Sequence, residues 1–325
     1  MRFLVLSFLC IAVITTSCDK NNFNYGEFNE QRNINNYLFT QNLDITPLAS
    51  GLYVQRIEQG TGVMPADTSF IVMDYFSRRL DGGRPEGTPY STNNIDWARF
   101  YNIKSTYAYG NKAVFKVGQS YFEPALKEAL NQMNEGDSVR IIMPSALSGT
   151  GNNMPIVLFV KLHEVIPDII KWEKERINTY LDTVTGVVKP VEVVIPETNN
   201  EKDMIYVISY GGARNDSVPQ SGNSINLDYI GRFIDGTPFE LRKMATLNVV
   251  KSSEDKTNGI IDGLMEGLLN INLGESATVI IPYRLAYGNT DQYESGSSYT
   301  YNSVVSIPAY SPLVFDIKLN SITSE

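Results

Sequence analysis

The sequence repeats itself, and this repeat constrains the fold more than any other feature of the 325 residues. One matching pair is SFIVMDYFSRRLDG at 69–82 and SINLDYIGRFIDG at 224–236, in which the shared Asp-Tyr and Asp-Gly lie 154 positions apart. A second pair is FEPALKEALNQMNEGDSVRIIMP at 122–144 and IIDGLMEGLLNINLGESATVIIP at 260–282, offset by 138. A repeat of this length predicts two copies of one structural unit.

The offset changes along the chain, which locates two insertions. It falls from 154 to 138 between the first two pairs, so the first copy has 16 extra residues between its Asp-Gly turn and its helix. The last pair, IVLFVKLHEV at 156–165 and PLVFDIKLNSI at 312–322, is offset by 156, so the second copy has 18 extra residues before its last strand. Insertions of this size belong in loops of a shared scaffold.

Each copy has the same order of predicted elements. A strand is followed by an Asp-Gly hairpin, a long flap, a short helix, a glycine turn, a strand that ends in proline, a loop and a last strand. INNYL at 34–38 and INTYL at 177–181 predict a short amphipathic helix before each copy. The predicted fold class is α+β: two units, each an antiparallel twisted sheet wrapped around one short helix.

Composition excludes several kinds of site. The net charge is −9, and no Lys/Arg cluster offers the basic face that nucleic acid requires. His163 is the single histidine, so the two copies cannot both have a Ser-His-Asp triad. With one histidine and two cysteines, the sequence does not predict a metal site, and no cofactor is expected.

The N-terminal segment predicts export and a lipid anchor. An apolar run from Phe3 to Ile14 follows Arg2 and is short enough for a signal peptide. The small residues before Cys18 resemble a bacterial lipobox, with Cys18 as the lipidated first residue, although Thr15 stands where that motif usually has leucine. An ordinary secretory signal is the alternative. An Asn-rich tether follows.

The second copy resembles the FKBP-type peptidyl-prolyl cis-trans isomerase domain. The resemblance runs from about Ile225 to Ile322 and rests on DYIGRFIDGTPFE, IIDGLMEGL, LGESATVIIPYRLAYG and IPAYSPLVFDIKL, in that order. The first copy, from about Ser69 to Val165, resembles the same fold more faintly. A helix, linker and FKBP unit behind a lipobox resembles lipoproteins of Bacteroidetes-type bacteria.

The resemblance implies a dry aromatic pocket that stabilises a twisted X-Pro amide. Tyr229 and Phe239 would form one wall, Ile261 would supply a backbone donor, and Tyr287 would offer its hydroxyl to a substrate carbonyl. The residues implied to be catalytic are Tyr229, Phe239, Glu240, Ile261, Tyr287 and Phe315. The residues implied to bind substrate are Ile260, Leu264, Ala286 and Ile307.

Three features depart from the family pattern. Leu264 stands where a tryptophan usually lies under the proline ring, which lowers the expected rate. Glu240 replaces an aspartate and is one methylene longer. The loop from Gly288 to Ser306 is much longer than usual and could act as a lid over the substrate.

The first copy departs further. Tyr75 is expected as a wall residue and Phe159 as the far side, but Ser148 replaces the loop tyrosine and Tyr90 replaces the wall phenylalanine. Glu123 falls near the helix-start donor. We therefore expect this copy to keep the fold and lose most or all isomerase activity. The aromatic residues of its flap either form a protein-binding surface or pack on their own unit; they are Trp97, Phe100, Tyr101, Tyr107 and Tyr109.

The sequence predicts a domain organisation and two main alternatives for the function. The plan is a signal peptide at 1–17, a tether and short helix at 18–48, a degenerate FKBP-like domain at 49–167, a helix and linker at 168–196, and an isomerase domain at 197–325. The first function is an isomerase, anchored in the cell envelope, that acts on proline-containing exported polypeptides. The alternative is a non-catalytic binding lipoprotein of an envelope assembly; aromatic richness alone suggests a third class, a polysaccharide-binding lipoprotein.

Overall fold

A computed structural model describes residues 25–109, 113–119, 124–148, 154–195, 198–249, 260–294 and 304–324. The predicted signal peptide and Cys18 lie outside these residues, as does Glu123. The predicted α+β class is confirmed: antiparallel sheets and a few short helices build two similar units. None of the helices in the described ranges is long and apolar enough to cross a membrane.

The N-terminal unit is a curved sheet with one short helix against it. Its strands have the order β1-β5-β6-β2-β3, with β4 paired to β2, and every pairing is antiparallel. Its elements are α1 (Tyr25–Thr40), β1 (Tyr53–Glu58), β2 (Phe70–Arg79), β3 (Thr88–Thr92), α2 (Ile95–Tyr101), β4 (Val114–Lys116), α3 (Ala125–Leu130), β5 (Ser138–Met143), α4 (Ser145–Ser148) and β6 (Ile156–Ile166).

The C-terminal unit repeats this plan. Its main sheet has the order β10-β9-β14-β11-β8-β7, and β12 pairs with β13 in a separate ribbon. Its elements are α5 (Ile169–Leu181), β7 (Val187–Val194), β8 (Lys202–Ser209), β9 (Asn223–Phe233), β10 (Pro238–Asn248), α6 (Asp262–Leu268), β11 (Ser276–Ile281), a 3-10 turn (Tyr283–Leu285), β12 (Gln292–Tyr293), β13 (Val305–Ile307) and β14 (Leu313–Ser324).

Alternation along the strands decides which face of the sheet each helix covers. In β14, Phe315 and Ile317 point into the core that contains α6, whereas Val314, on the opposite face of the strand, packs in a cluster with Ile177 of α5. The sheet therefore lies between the two helices. Its α6 face is the one on which the predicted site residues lie.

The segment predicted as a linker, Asp182–Pro196, is in part a strand. Val187–Val194 pairs with β8 through eight residues, and Val193 is buried in the C-terminal core. The two prolines suggested a linker because proline cannot donate a ladder hydrogen bond. Here Pro190 lies in an edge strand, where the missing donor is tolerated.

The helix before each unit is attached in the same way. α1 begins at Tyr25, inside the predicted tether, and is longer than the short helix expected there, because Ile34 and Tyr37 bury against the sheet. The Glu30 carboxylate accepts hydrogen bonds from the backbone N–H of Ser145 at 2.5 Å and from its hydroxyl at 2.7 Å.

α5 uses the corresponding glutamate. The Glu173 carboxylate accepts a hydrogen bond from the backbone N–H of Tyr283 at 2.6 Å. Glu30 and Glu173 each lie four residues before the INNYL or INTYL segment, and each binds the first residue after a proline that ends a core strand. The helix thus fixes the turn that follows this strand in both units.

The two units also pack against each other. The ring of Phe70 meets the ring of Tyr310 edge-on at 4.9 Å, and Tyr310 meets Tyr283 at 5.5 Å. Ile169 and Trp172 of α5 belong to the same cluster. α5 therefore contacts both units and holds them together.

Candidate active site

Three aromatic rings lie on the α6 face of the C-terminal sheet. Phe315 of β14 lies between Tyr229 of β9 and Phe239 of β10, with ring centroids 6.0 Å from Tyr229 and 5.9 Å from Phe239. The Phe239–Phe315 pair is edge-to-face, at 83°. Phe315 is buried, whereas Tyr229 and Phe239 are half-buried. The rings form an apolar surface that is partly open to a ligand.

Gly231 makes this arrangement possible. It pairs with Phe315 on one side and with Glu240 on the other. A β-carbon on Gly231 would lie 2.5 Å from Cε2 of Phe239 and 3.2 Å from Cε1 of Phe315. The Phe239 ring therefore occupies the space above a residue that has no side chain.

Glu240 is held at the edge of this surface. Its carboxylate accepts a hydrogen bond from Nε of Arg242 at 2.9 Å and is hydrogen-bonded to the hydroxyl of Tyr229. Burial raises the pKa of Tyr229 to about 12, and the negative charge of Glu240 adds to the shift. The Tyr229 hydroxyl therefore stays protonated at physiological pH and fixes the carboxylate.

The start of α6 closes the opposite side of the candidate site. Ile261 is the N-cap of α6, and its carbonyl oxygen accepts from the backbone N–H groups of Leu264 and Met265, both at 3.1 Å. In the described part of the chain, the Ile261 N–H donates to no backbone carbonyl. Gly263 lets the helix lie against Ile281, since a β-carbon there would be 2.3 Å from a side-chain methyl. Leu264 is buried beneath the pocket.

The Ala-Tyr-Gly loop presents Tyr287. The loop follows the 3-10 turn that Glu173 fixes, and Gly288 takes a positive φ of 62°. Tyr287 is half-buried, and burial together with the charge of Glu240 raises the pKa of its hydroxyl. No side-chain hydrogen bond contributes to this shift.

The structure brings the predicted site residues of the C-terminal unit together. Nine of them belong to or pack against one apolar cluster, and Glu240 joins them through Tyr229. The nine are Tyr229, Phe239, Ile260, Ile261, Leu264, Ala286, Tyr287, Ile307 and Phe315. Their individual roles remain predictions. No group of acidic, histidine or cysteine side chains in the described ranges is arranged to hold a metal ion.

Sequence reasoning did not identify Gly231 or Tyr109 as part of this site. Gly231 follows Asp-Tyr-Ile in the repeat, and the corresponding residue of the first copy is Ser77. This difference between the copies could have identified Gly231 as a residue of the site. Tyr109 lies in the N-terminal unit, and only the folded chain brings it to the C-terminal pocket.

The corresponding pocket of the N-terminal unit is covered by its own flap. The Tyr75 hydroxyl donates to Oγ1 of Thr106 at 2.7 Å, because that oxygen in turn donates to the carbonyl of Thr92. The Tyr107 ring packs edge-on against Phe115 at 5.9 Å. Flap residues thus lie where a ligand would have to enter.

The expectation for Phe159 is wrong, because the alignment was displaced by one residue. Tyr75 pairs with Val160, and Tyr229 pairs with Ile317, so the counterpart of Phe315 is Leu158. Phe159 therefore points to the outer face of the sheet, where it stacks on Phe76 at 6.1 Å.

Two more of the flap aromatics pack on the N-terminal unit itself. Trp97 and Tyr101 pack on Phe76 and line a cavity of about 420 Å³ on the outer face of the N-terminal sheet. Phe100 is 79% exposed.

The other two residues predicted for the pocket of the first copy have partners of their own. Ser148 is buried, and its hydroxyl donates to the carbonyl of Ser145 at 3.2 Å. The ring of Tyr90 lies beneath the guanidinium of Arg79, at 3.6 Å.

Comparison with known proteins assigns a family to the C-terminal unit. Residues 215–320 match the model of the FKBP-type peptidyl-prolyl cis-trans isomerase family. An FKBP-type 22 kDa peptidyl-prolyl cis-trans isomerase of Escherichia coli is 31% identical over 106 residues, which are 33% of this chain and 44% of the relative. The FkpA isomerase of Escherichia coli is 32% identical over 104 residues, 31% of this chain and 32% of the relative.

These matches span less than half of either relative. Among solved structures, the three FKBP domains of wheat FKBP73 align with 85% of this chain and 97% of that chain, at 17% identity and a TM-score of 0.31.

Proposed function

We propose that the protein catalyses the isomerisation of X-Pro bonds in polypeptides at its C-terminal unit, since residues 215–320 match the FKBP-type peptidyl-prolyl cis-trans isomerase family. The observation that supports this most is the convergence of Tyr229, Phe239, Phe315 and Tyr287 on one half-open apolar surface within the matched residues.

The chemistry needs no nucleophile. Rotation about the X-Pro bond is slow because it breaks amide resonance, with a barrier of roughly 18–20 kcal/mol. The twisted amide has less charge separation than the planar one. An apolar pocket that excludes water therefore binds the twisted form better than the planar form, and this difference lowers the barrier.

Each part of the site has a role in this proposal. The rings of Phe239 and Phe315 enclose the proline ring, with Leu264 beneath it. The backbone N–H of Ile261 and the hydroxyl of Tyr287 hold substrate carbonyl oxygens. Tyr229 keeps the Glu240 carboxylate in place at the pocket edge.

In the described residues of the N-terminal unit, the pocket that corresponds to this site is covered, and this supports the proposal that the unit does not catalyse. Tyr75, which corresponds to Tyr229, is hydrogen-bonded to Thr106, and the flap of this unit covers the pocket. Ser148, which was expected to replace the loop tyrosine, lies instead at the position of Ala286, four residues after the strand-ending proline, and it is buried and bound to Ser145. We assign this unit a role in binding or positioning the polypeptide.

The setting proposed for this activity is the cell envelope. The apolar run from Phe3 to Ile14 and the small residues before Cys18 support export and lipidation. The substrates would then be exported proteins that fold near the membrane. The alternative is a non-catalytic binding protein, which Leu264 favours because leucine lacks the flat surface of tryptophan.

The test is the cis–trans exchange of the peptide Ala-Leu-Pro-Phe, measured by NMR with the full chain. We expect acceleration by the wild type, a loss of about tenfold or more in Phe239→Ala, and a loss of about three- to tenfold in Tyr287→Phe, which removes one hydrogen bond. Phe100→Ala is the control, because Phe100 is exposed and outside the site. No acceleration by a folded wild-type chain would leave the binding protein as the function.

A further inference from the structure

The flap of the N-terminal unit reaches the pocket of the C-terminal unit. The hydroxyl of Tyr109 donates a hydrogen bond to the main-chain carbonyl oxygen of Phe239 at 3.2 Å. The Tyr109 ring meets the ring of Phe233 at 5.6 Å and packs against the same apolar cluster as the site residues. A residue 130 positions away thus borders the wall that Phe239 forms.

Backbone pairing holds this part of the flap in place. The N–H of Ala108 donates to the carbonyl oxygen of Val305 at 2.9 Å, and the N–H of Val305 donates to that of Thr106 at 3.0 Å. Tyr107 forms a parallel bridge with Val305. The flap therefore extends the ribbon of β12 and β13, and Ile307 of β13 belongs to the apolar cluster of the candidate site. Tyr109 is placed by two adjacent backbone hydrogen bonds and is not a loosely attached side chain.

Tyr109 also remains partly open. Its side chain is half-buried, and Glu294 of the long loop lies close enough for its charge to raise the pKa of Tyr109, after the larger effect of burial. The hydroxyl is used for Phe239, so the face of the ring is the part that is left to meet a ligand. The ring continues the apolar surface of Phe239 and Phe233 beyond the pocket itself.

We propose that Tyr109 of the N-terminal unit forms part of the substrate-binding groove of the C-terminal unit, where its ring contacts an apolar side chain of a bound polypeptide beyond the residues that adjoin the proline. This inference rests on the proposed isomerase function and extends it. The N-terminal unit then contributes to substrate choice while its own pocket stays covered. Tyr109 is a specificity residue: it selects the sequence around the proline, and the twisted amide itself is bound by the C-terminal residues.

The experiment compares two peptides with the full chain. Both contain Ala-Leu-Pro-Phe, and they differ in whether the residues on either side of it are leucine or serine. We expect the wild type to prefer the leucine peptide in kcat/KM. Tyr109→Ala should lower kcat/KM for the leucine peptide by about five- to tenfold and leave the serine peptide unchanged. Tyr109→Phe should keep most of the preference, since the ring remains.

Two controls separate this effect from damage to the fold. Phe100→Ala removes an aromatic side chain of the same flap that is 79% exposed and packs edge-on against Tyr101, and it should keep the preference. Circular dichroism of each variant reports whether it is folded. An unchanged preference in folded Tyr109→Ala would overturn the proposal, as would a faster reaction with both peptides, because the ring would then obstruct the groove.

The outcome also distinguishes this inference from the proposed function. If the wild type accelerates exchange and Tyr109→Ala has no selective effect, only the inference fails. If the wild type does not accelerate exchange, the isomerase proposal fails, and the affinities of the two peptides are compared by NMR titration instead. Equal affinity of both peptides for the wild type and for Tyr109→Ala would then overturn the inference.

Discussion

Gly231 lies directly beneath the ring of Phe239, and a β-carbon at Gly231 would come within 2.5 Å of that ring. The close approach ties the position of a pocket wall to a glycine in the neighbouring strand. Phe239 is half-buried, so its ring can be displaced toward solvent without opening the core. A change at Gly231 should therefore affect the site more than the fold.

Gly231→Ala should reduce peptide isomerisation by about tenfold and lower the free energy of unfolding by only ~1 kcal/mol, because the displaced ring no longer lines the pocket. The measurement is NMR exchange of Ala-Leu-Pro-Phe together with urea unfolding. Gly267→Ala is a matched control, since its β-carbon would lie 2.6 Å from Val279 in the same core. It should lower stability and leave the activity of the folded protein close to that of the wild type. Full activity in Gly231→Ala would contradict this assignment of Phe239.

Glu173 should make stability depend on pH. The carboxyl is 2% exposed, and burial raises its pKa from 4.5 to about 8, which the hydrogen bond from Tyr283 only partly offsets. At pH values between 4.5 and about 8, the Glu173 carboxyl is protonated in the folded chain and ionised in the unfolded chain. The stability from this group is therefore fully present below pH 4.5 and is lost as the pH rises through about 8.

In the wild type, the free energy of unfolding should fall by a few kcal/mol between pH 5 and pH 8. Glu173→Gln should remove most of this fall, because glutamine does not titrate, and it keeps an acceptor for the Tyr283 N–H. Urea unfolding at several pH values measures it. Glu175→Gln is the control, because Glu175 is exposed on the same helix and pairs only with Lys171 at 3.9 Å. An identical slope in the wild type and in Glu173→Gln would show that the buried carboxyl does not hold this proton.

The boundary of the C-terminal unit can be tested by truncation. A chain that begins at residue 197 lacks β7, so β8 becomes an unpaired edge, and the buried side chains of Val193 and Ile195 are lost. Thermal unfolding of 197–325 should occur at least about 10 °C below that of 168–325. Equal melting temperatures would mean that β7 and α5 add nothing to this unit.

The proposed anchor is tested at Cys18. Cys18→Ser should move the protein from the membrane fraction to the soluble fraction, because the acceptor of the lipid is removed. Cys10→Ser is the control: this residue lies in the apolar run that cleavage would remove, and membrane retention should persist. Retention of Cys18→Ser in the membrane fraction would count against lipidation.

Most of the C-terminal site could be predicted from the sequence, because the residues that line it lie in short motifs with fixed spacing. Strand alternation then places Tyr229 and Phe315 on one face of the sheet. The same reasoning failed for Phe159, since VLFVKL and LVFDIKL each offer a phenylalanine and a one-residue displacement leaves the motifs looking alike. Only the pairing of Tyr75 with Val160 reveals the displacement.

Other features depended on long-range contacts. β7 looked like a linker because of its prolines, and only its place at the sheet edge accounts for them. The backbone pairing of Ala108 with Val305 joins two insertions; the sequence shows how long each insertion is but not where it runs in the fold. The local periodicity of apolar residues in the sequence does not indicate how the two units are oriented relative to each other.

The paired glutamates bear on the ancestry of the chain. Glu30 and Glu173 lie 143 positions apart, the same interval as INNYL and INTYL, so the segment that was copied began with the helix and included its attachment to the sheet. After the duplication the two copies diverged most in their insertions, and those insertions now touch. The copies are no longer interchangeable: Tyr109 comes from the first copy and Phe239 from the second, and a descendant that lost the first copy would lose this contact.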